Sequence, residues 1–67
     1  MSDVVKVIEV LAESEKSWED AAQQAIQHAA KTLKNVRSIY IENFEAKVEN
    51  NKIARYRING KISFLLE

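Results

Sequence analysis

Apolar residues recur at two different periods along this chain, and the changes of period mark out its elements. Val4 to Leu11 is rich in β-branched residues and predicts a first strand. Val5, Val7 and Glu9 share one side of it, and Val4, Lys6, Ile8 and Val10 the other. Ala12 to Lys16 reads as a polar connection. From Ser17 to Lys34 the spacing becomes helical: Trp18, Ala21, Ala22, Ala25, Ile26, Ala29, Ala30 and Leu33 form one stripe, with polar residues between them. The dry face is mostly alanine, so this helix can approach its neighbours closely while burying little area per residue.

Local signals place the ends of the helix. Ser17 is a natural N-cap, and Asp20 three residues on resembles a capping box. Asn35 is the expected C-cap. Val36 to Glu49 predicts a long second strand whose apolar parity changes from Ile39 and Ile41 to Phe44, Ala46 and Val48. Such a switch requires a bulge or bend near Glu42-Asn43. Asn50-Asn51 tolerates positive φ and suits a tight hairpin. Ile53 to Leu66 then alternates cleanly, with Ala54, Tyr56, Ile58, Gly60, Ile62, Phe64 and Leu66 on one face. Gly60 interrupts this apolar row, and the alanine face of the helix is its expected neighbour.

The order β–α–β–β predicts an α+β fold with one helix against a three-stranded antiparallel sheet. Strands of about a dozen residues reach ~40 Å at ~3.3 Å per residue. That is about half as long again as the helix at ~1.5 Å per residue. The hairpin must therefore curl around the helix or project past it, and a projecting apolar row calls for a partner.

Composition sharpens this expectation. The 67 residues make a single domain, 1–67, with a small core. There is no Cys and one His, which excludes disulfides, thiolate metal sites and His-rich clusters. Oligomerisation is the support left to so small a scaffold. Ten basic and ten acidic residues cancel, against the positive field of a general nucleic-acid binder. A βαββ protein or nucleic-acid interaction module stays as a remote alternative, tested by salt-dependent binding. No apolar run is long enough to span a membrane or laid out as a signal peptide, so the expected compartment is the cytoplasm.

Candidate chemistry is sparse. No Ser, His and acid fall in a triad spacing, and there is no Cys nucleophile or phosphate-cradling glycine loop, so no catalytic residues are assigned and the chain is read as non-enzymatic. Trp18 lies on the apolar helix stripe and is assigned to packing; His28 lies on the wet face and is assigned to solvent. Glu13, Glu15, Glu19 and Asp20 gather at the helix entrance, as dipole partners or as an ion site. Arg55, Arg57 and Lys61 line the polar side of the last strand, to be paired with Glu45, Glu49 or another subunit, with an anion site as the alternative.

Over essentially its whole length the sequence resembles the dodecins. The resemblance is carried by Val5-Lys6-Val7-Ile8-Glu9-Val10, by Ala21-Ala22, Ala25, Ala29-Ala30 and Lys31-Thr32-Leu33, by Tyr56-Arg57-Ile58, and by the ending Ile62-Ser63-Phe64-Leu65-Leu66-Glu67. It implies a sheet partly wrapped around one helix, and a hollow homododecameric cage. The best-known members store flavin (FMN or riboflavin) between subunits, using a stacking Trp, an edge-bonding Gln and a basic residue. Those positions fall here on Ser38, Arg57 and Glu45, and Tyr40 is the aromatic two residues from the first. Ser38 offers no ring to stack, and Arg57 brings a cation to a site made for a neutral ring edge. Flavin is therefore not the expected cofactor, and a flavin-binding dodecin that uses Tyr40 as its aromatic is the runner-up. The Ser17-Trp18-Glu19 start of the helix resembles instead a second branch, which lacks the stacking Trp and is described as calcium-binding cages. Calcium requires six to eight oxygen donors, and no loop here has a dedicated spacing, so its ligands are not assigned.

Overall fold

A computed structural model describes residues 3–66. Strand β1 (Val5–Ser14) leads into helix α1 (Trp18–Ala30), followed by β2 (Val36–Glu49) and β3 (Lys52–Leu65). The sheet is antiparallel in the order β1-β3-β2, so the last strand is its centre. The molecule is elongated, 52 × 21 × 13 Å, because the hairpin runs well past the helix.

The first strand continues through Ala12, Glu13 and Ser14, which the sequence assigned to a connection. These residues pair with Ile58, Arg57 and Tyr56 of β3, so a ladder partner overrides their weak strand preference. The register places Lys6, Ile8, Val10, Ala12 and Ser14 beside the apolar row of β3, on the side that carries the helix. The other side presents Val5, Val7 and Leu11, each about half exposed or more.

The helix is also shorter than its apolar stripe. Ser17 caps it as expected: its Oγ accepts the Asp20 N–H at 2.9 Å. The capping box is not closed by Asp20, whose carboxylate accepts hydrogen bonds from Ser14 Oγ at 2.6 Å and Gln24 Nε2 at 2.7 Å. The α ladder ends at Ala30, where the N–H groups of Lys31 and Thr32 turn back to carbonyls three residues behind, at 3.3 and 3.2 Å. Lys31 is the C-cap. Asn35 lies beyond it, and its φ of 61° turns the chain into β2.

Asn50 and Asn51, with φ of 53° and 64°, form the hairpin turn, closed by the Glu49–Lys52 pair. The β2–β3 register slips between Ile41 and Asn43, leaving Glu42 as the extra residue of the expected bulge. Two further slips lie at Val36/Ser38 and Lys47/Val48.

Gly60 explains itself through that bulge rather than through the helix. A Cβ at this position would collide with the Tyr40 carbonyl oxygen and stand 3.4 Å from Ile41 Cα. The bulged segment of β2 is thus the close neighbour that requires glycine.

Ala21, Ile58, Ile62 and Phe64 are the buried apolar residues of the described chain. Ala21 sits in the first turns of the helix and the other three on β3. The core is therefore a thin line where the helix crosses the central strand. Apolar side chains at both ends of the sheet stay largely uncovered.

Candidate functional site

The central strand builds a polar surface. Arg55, Arg57, Asn59, Lys61 and Ser63 alternate with the buried row and so point away from the helix. Pairing with β1 and β2 extends them into rows across the sheet. Val7, Ser63 and Ser38 form one row; Glu9, Lys61 and Tyr40 a second; Glu13, Arg57 and Glu45 a third.

The third row is a continuous ion-pair bar. Glu13 Oε2 accepts from Arg57 Nε at 2.7 Å and also from the terminal Nη2. Its other oxygen accepts from Arg55 Nη1 at 3.0 Å. On the opposite side Arg57 Nη1 meets Glu45 at 3.5 Å. Arg55 reaches Glu15 as well, at 3.8 Å. The Arg57 hydrogen bond, helped by the charges of both arginines, holds the Glu13 carboxyl below its ordinary value despite partial desolvation. Reciprocally, the Glu13 hydrogen bond raises Arg57. Lys61 pairs separately with the bulge residue Glu42 at 3.5 Å.

Beside the bar, Trp18 fastens the start of the helix to the hairpin. Its Nε1 donates to the Glu45 carbonyl oxygen at 2.9 Å. Its ring meets Tyr56 edge-on, with centroids 4.9 Å apart, and Phe44 at 6.0 Å. The packing role expected of Trp18 is thus realised within the chain. Asp20 completes the corner. Hydrogen bonds from Ser14 and Gln24, with Lys16 nearby, lower its carboxyl below the ordinary value. His28 is exposed, as expected of the wet face.

Ser38, Tyr40, Glu45 and Arg57 all lie on this same outward sheet face. Glu45 and Arg57 are brought together; Ser38 is not brought to them. Ser38 pairs with Ser63, six positions along β3 from Arg57, or about 20 Å at ~3.3 Å per residue. The Ser38 and Ser63 hydroxyls hydrogen-bond to each other at 2.6 Å. Tyr40 is 65% exposed beside them.

Glu13 is the partner of Arg57 and Arg55 that sequence reasoning missed; it named Glu45, Glu49 or another subunit. The signal was present in the register. Pairing Val5 with Leu65 places Glu13 opposite Arg57 once the strand is allowed to continue. The acidic group at the helix entrance is dispersed by these contacts: Glu13 and Glu15 face arginines, and Asp20 faces Ser14 and Gln24. Among the described residues no three His, Cys, Asp or Glu side chains are grouped to hold a metal ion. No helix among the described residues is long and apolar enough to cross a membrane.

A single helix laid on one face of a β1-β3-β2 antiparallel sheet, with the other face presenting polar and apolar rows, defines a βαββ class. The Dodecin family model matches residues 4–67, and the chain belongs to that family. It is 33% identical over 61 residues to the calcium dodecin of Mycobacterium tuberculosis, covering 91% of this chain and 86% of that protein. A crystal structure of calcium dodecin from the same organism is described as a calcium chelating immunodominant antigen with a novel calcium-binding site. It superposes with a TM-score of 0.81 at 31% identity, covering 96% of this chain and 91% of the other. A point mutant of the Thermus thermophilus dodecin superposes with a TM-score of 0.92 at 26% identity, covering 98% of each chain. The dodecin from Streptomyces davaonensis matches in fold alone, with a TM-score of 0.91 at 19% identity, over 100% of this chain and 98% of that one.

Proposed function

We propose that this chain is a non-enzymatic, cytoplasmic dodecin subunit. Twelve copies close a hollow shell that sequesters or stores a small ligand or ion other than flavin. The observation that carries this reading is the state of Arg57. Its guanidinium is engaged by Glu13 on one side and Glu45 on the other, so it offers no free amide-like edge to a neutral ring. The hydroxyl of Ser38 bonded to Ser63 provides no surface for stacking. Likeness to a protein named calcium dodecin favours an ion as the cargo. Its ligands would have to come from several copies meeting at a symmetry axis. Calcium calorimetry on the assembled particle tests this: saturable binding with a fixed number of ions per particle is expected, and no heat above that of magnesium would count against it.

A second reading keeps flavin, with Tyr40 as the stacking ring. It draws on one observation, the exposure of Tyr40 on the face that also carries Glu45 and Arg57. Riboflavin fluorescence separates the two. Stoichiometric quenching by the purified protein, lost in Tyr40→Ala, would establish the second reading in place of the first.

A further inference from the structure

The thin alanine face leaves an open groove between α1 and the edge strand β1. It has a volume of about 410 Å³ and is floored by Ile8, Val10, Ala25 and Ala29, with Gln24 and His28 on its helical rim. At the far end of the molecule, the hairpin tip presents the cross-strand pair Val48 and Ile53, which are 61% and 50% exposed. We infer that the Val48–Ile53 tip of one copy seats in the α1/β1 groove of a neighbouring copy. This inference rests on the homo-oligomeric reading above and assigns one of its contacts.

Three observations point to this occupant. First, the fit is between two apolar features of one chain that cannot meet in cis. Ala12, at one end of the groove, pairs with Ile58, and Ile53 lies five positions further along β3, about 17 Å of strand at ~3.3 Å per residue. Second, the charges are complementary. Lys47 and Lys52 flank the tip, and among the described residues neither is in an ion pair. Asp20, hydrogen-bonded to the groove residue Gln24, carries a negative charge one helical turn from the groove's rim, with Lys16 as its nearby cation. Third, the buried core is too thin for the apolar surface this chain carries, so covering the tip and the groove together removes two uncovered patches with one contact. A tip-to-groove contact is heterologous, and such contacts generate closed rings when the rotation returns to its start.

The chain has no cysteine, so the contact can be tested by directed disulfides. The double variant Ile53→Cys/His28→Cys is oxidised in the assembled state and run without reductant. A ladder of covalently linked chains is expected, and it should be absent from either single variant. In parallel, Ile53→Asp is expected to shift the particle to smaller species while its circular dichroism stays that of the parent. An intact particle with neither a ladder nor sensitivity to Ile53→Asp overturns this contact and leaves the assembly standing. Linkage in Ile53→Cys alone shows tip meeting tip and overturns it as well. If the unmodified chain is monomeric, the assembly reading fails and takes this contact with it.

Discussion

Arg57 at the centre of the sheet donates its Nε–H to the Glu13 carboxylate at 2.7 Å, directly across the β1–β3 ladder. The same guanidinium reaches Glu45 on β2, so one side chain ties all three strands together. Glu45 links this bar to the helix, because its carbonyl oxygen accepts the Trp18 indole N–H. The corner where the hairpin leaves the helix is thereby fixed by one cation, two carboxylates and one indole.

This corner should contribute to the acid dependence of stability. The Glu13 and Asp20 carboxyls are both held below their ordinary values of 4.5 and 3.8. Groups depressed in the folded state contribute stability that is fully present above those values and lost as pH falls through the folded ones. Thermal unfolding followed by circular dichroism should give a constant midpoint from neutrality down to about pH 5 and a decline below 4.5. Glu13→Gln should lower the midpoint at pH 7 and flatten the acid decline. An unchanged profile in that variant would remove Glu13 from the bar's energetics.

Gly60→Ala places a methyl group against the Tyr40 carbonyl at the bulge. Backbone cannot swing aside as a flexible side chain does, so the variant should lose roughly 1–3 kcal/mol in urea unfolding. Gly60→Ala should perturb β2 amide resonances around Tyr40 and Ile41, and unchanged resonances there would contradict the close approach.

Ser17→Ala removes the oxygen that accepts the Asp20 N–H. A loss of about 1 kcal/mol is expected from equilibrium denaturation. Ser17→Asp should restore most of it, since a carboxylate serves the same cap and favours the positive end of the helix dipole.

The account of ligand choice is tested by a gain of function. Ser38→Trp supplies a ring, and Arg57→Gln supplies an edge with both donor and acceptor. The double variant should bind riboflavin at least about tenfold tighter than the parent, equivalent to about 1.4 kcal/mol. Fluorescence quenching reads this directly. Equal affinity in parent and variant would show that these positions do not decide flavin binding here.

Much of the fold is legible in the sequence because it rests on periodicity. The alternation of β3, the parity switch that requires the bulge beside Glu42, and the left-handed pair Asn50-Asn51 all follow from local residue pattern. Ala12 to Ser14 were hidden because their strand state comes from pairing with β3 rather than from their own preference. The neighbour of Gly60 was hidden for a related reason. The alanine stripe offered small residues to match it, and only the register shows that the bulged backbone of β2 is what approaches. At the outward face, Arg57 and Glu45 were legible as opposite charges on adjacent strands. Glu13 was not, since finding it needed the correct end of β1. The separation of Ser38 from Arg57 along β3 could not be read from a family pattern that lists positions without distances.

The central claim joins assembly to the absence of flavin, and native mass spectrometry of the particle purified from cells reads both at once. The account predicts a mass twelve times that of one chain, with no increments of flavin mass and with any added mass accounted for by small ions. A monomer, or a particle carrying stoichiometric flavin, would contradict it.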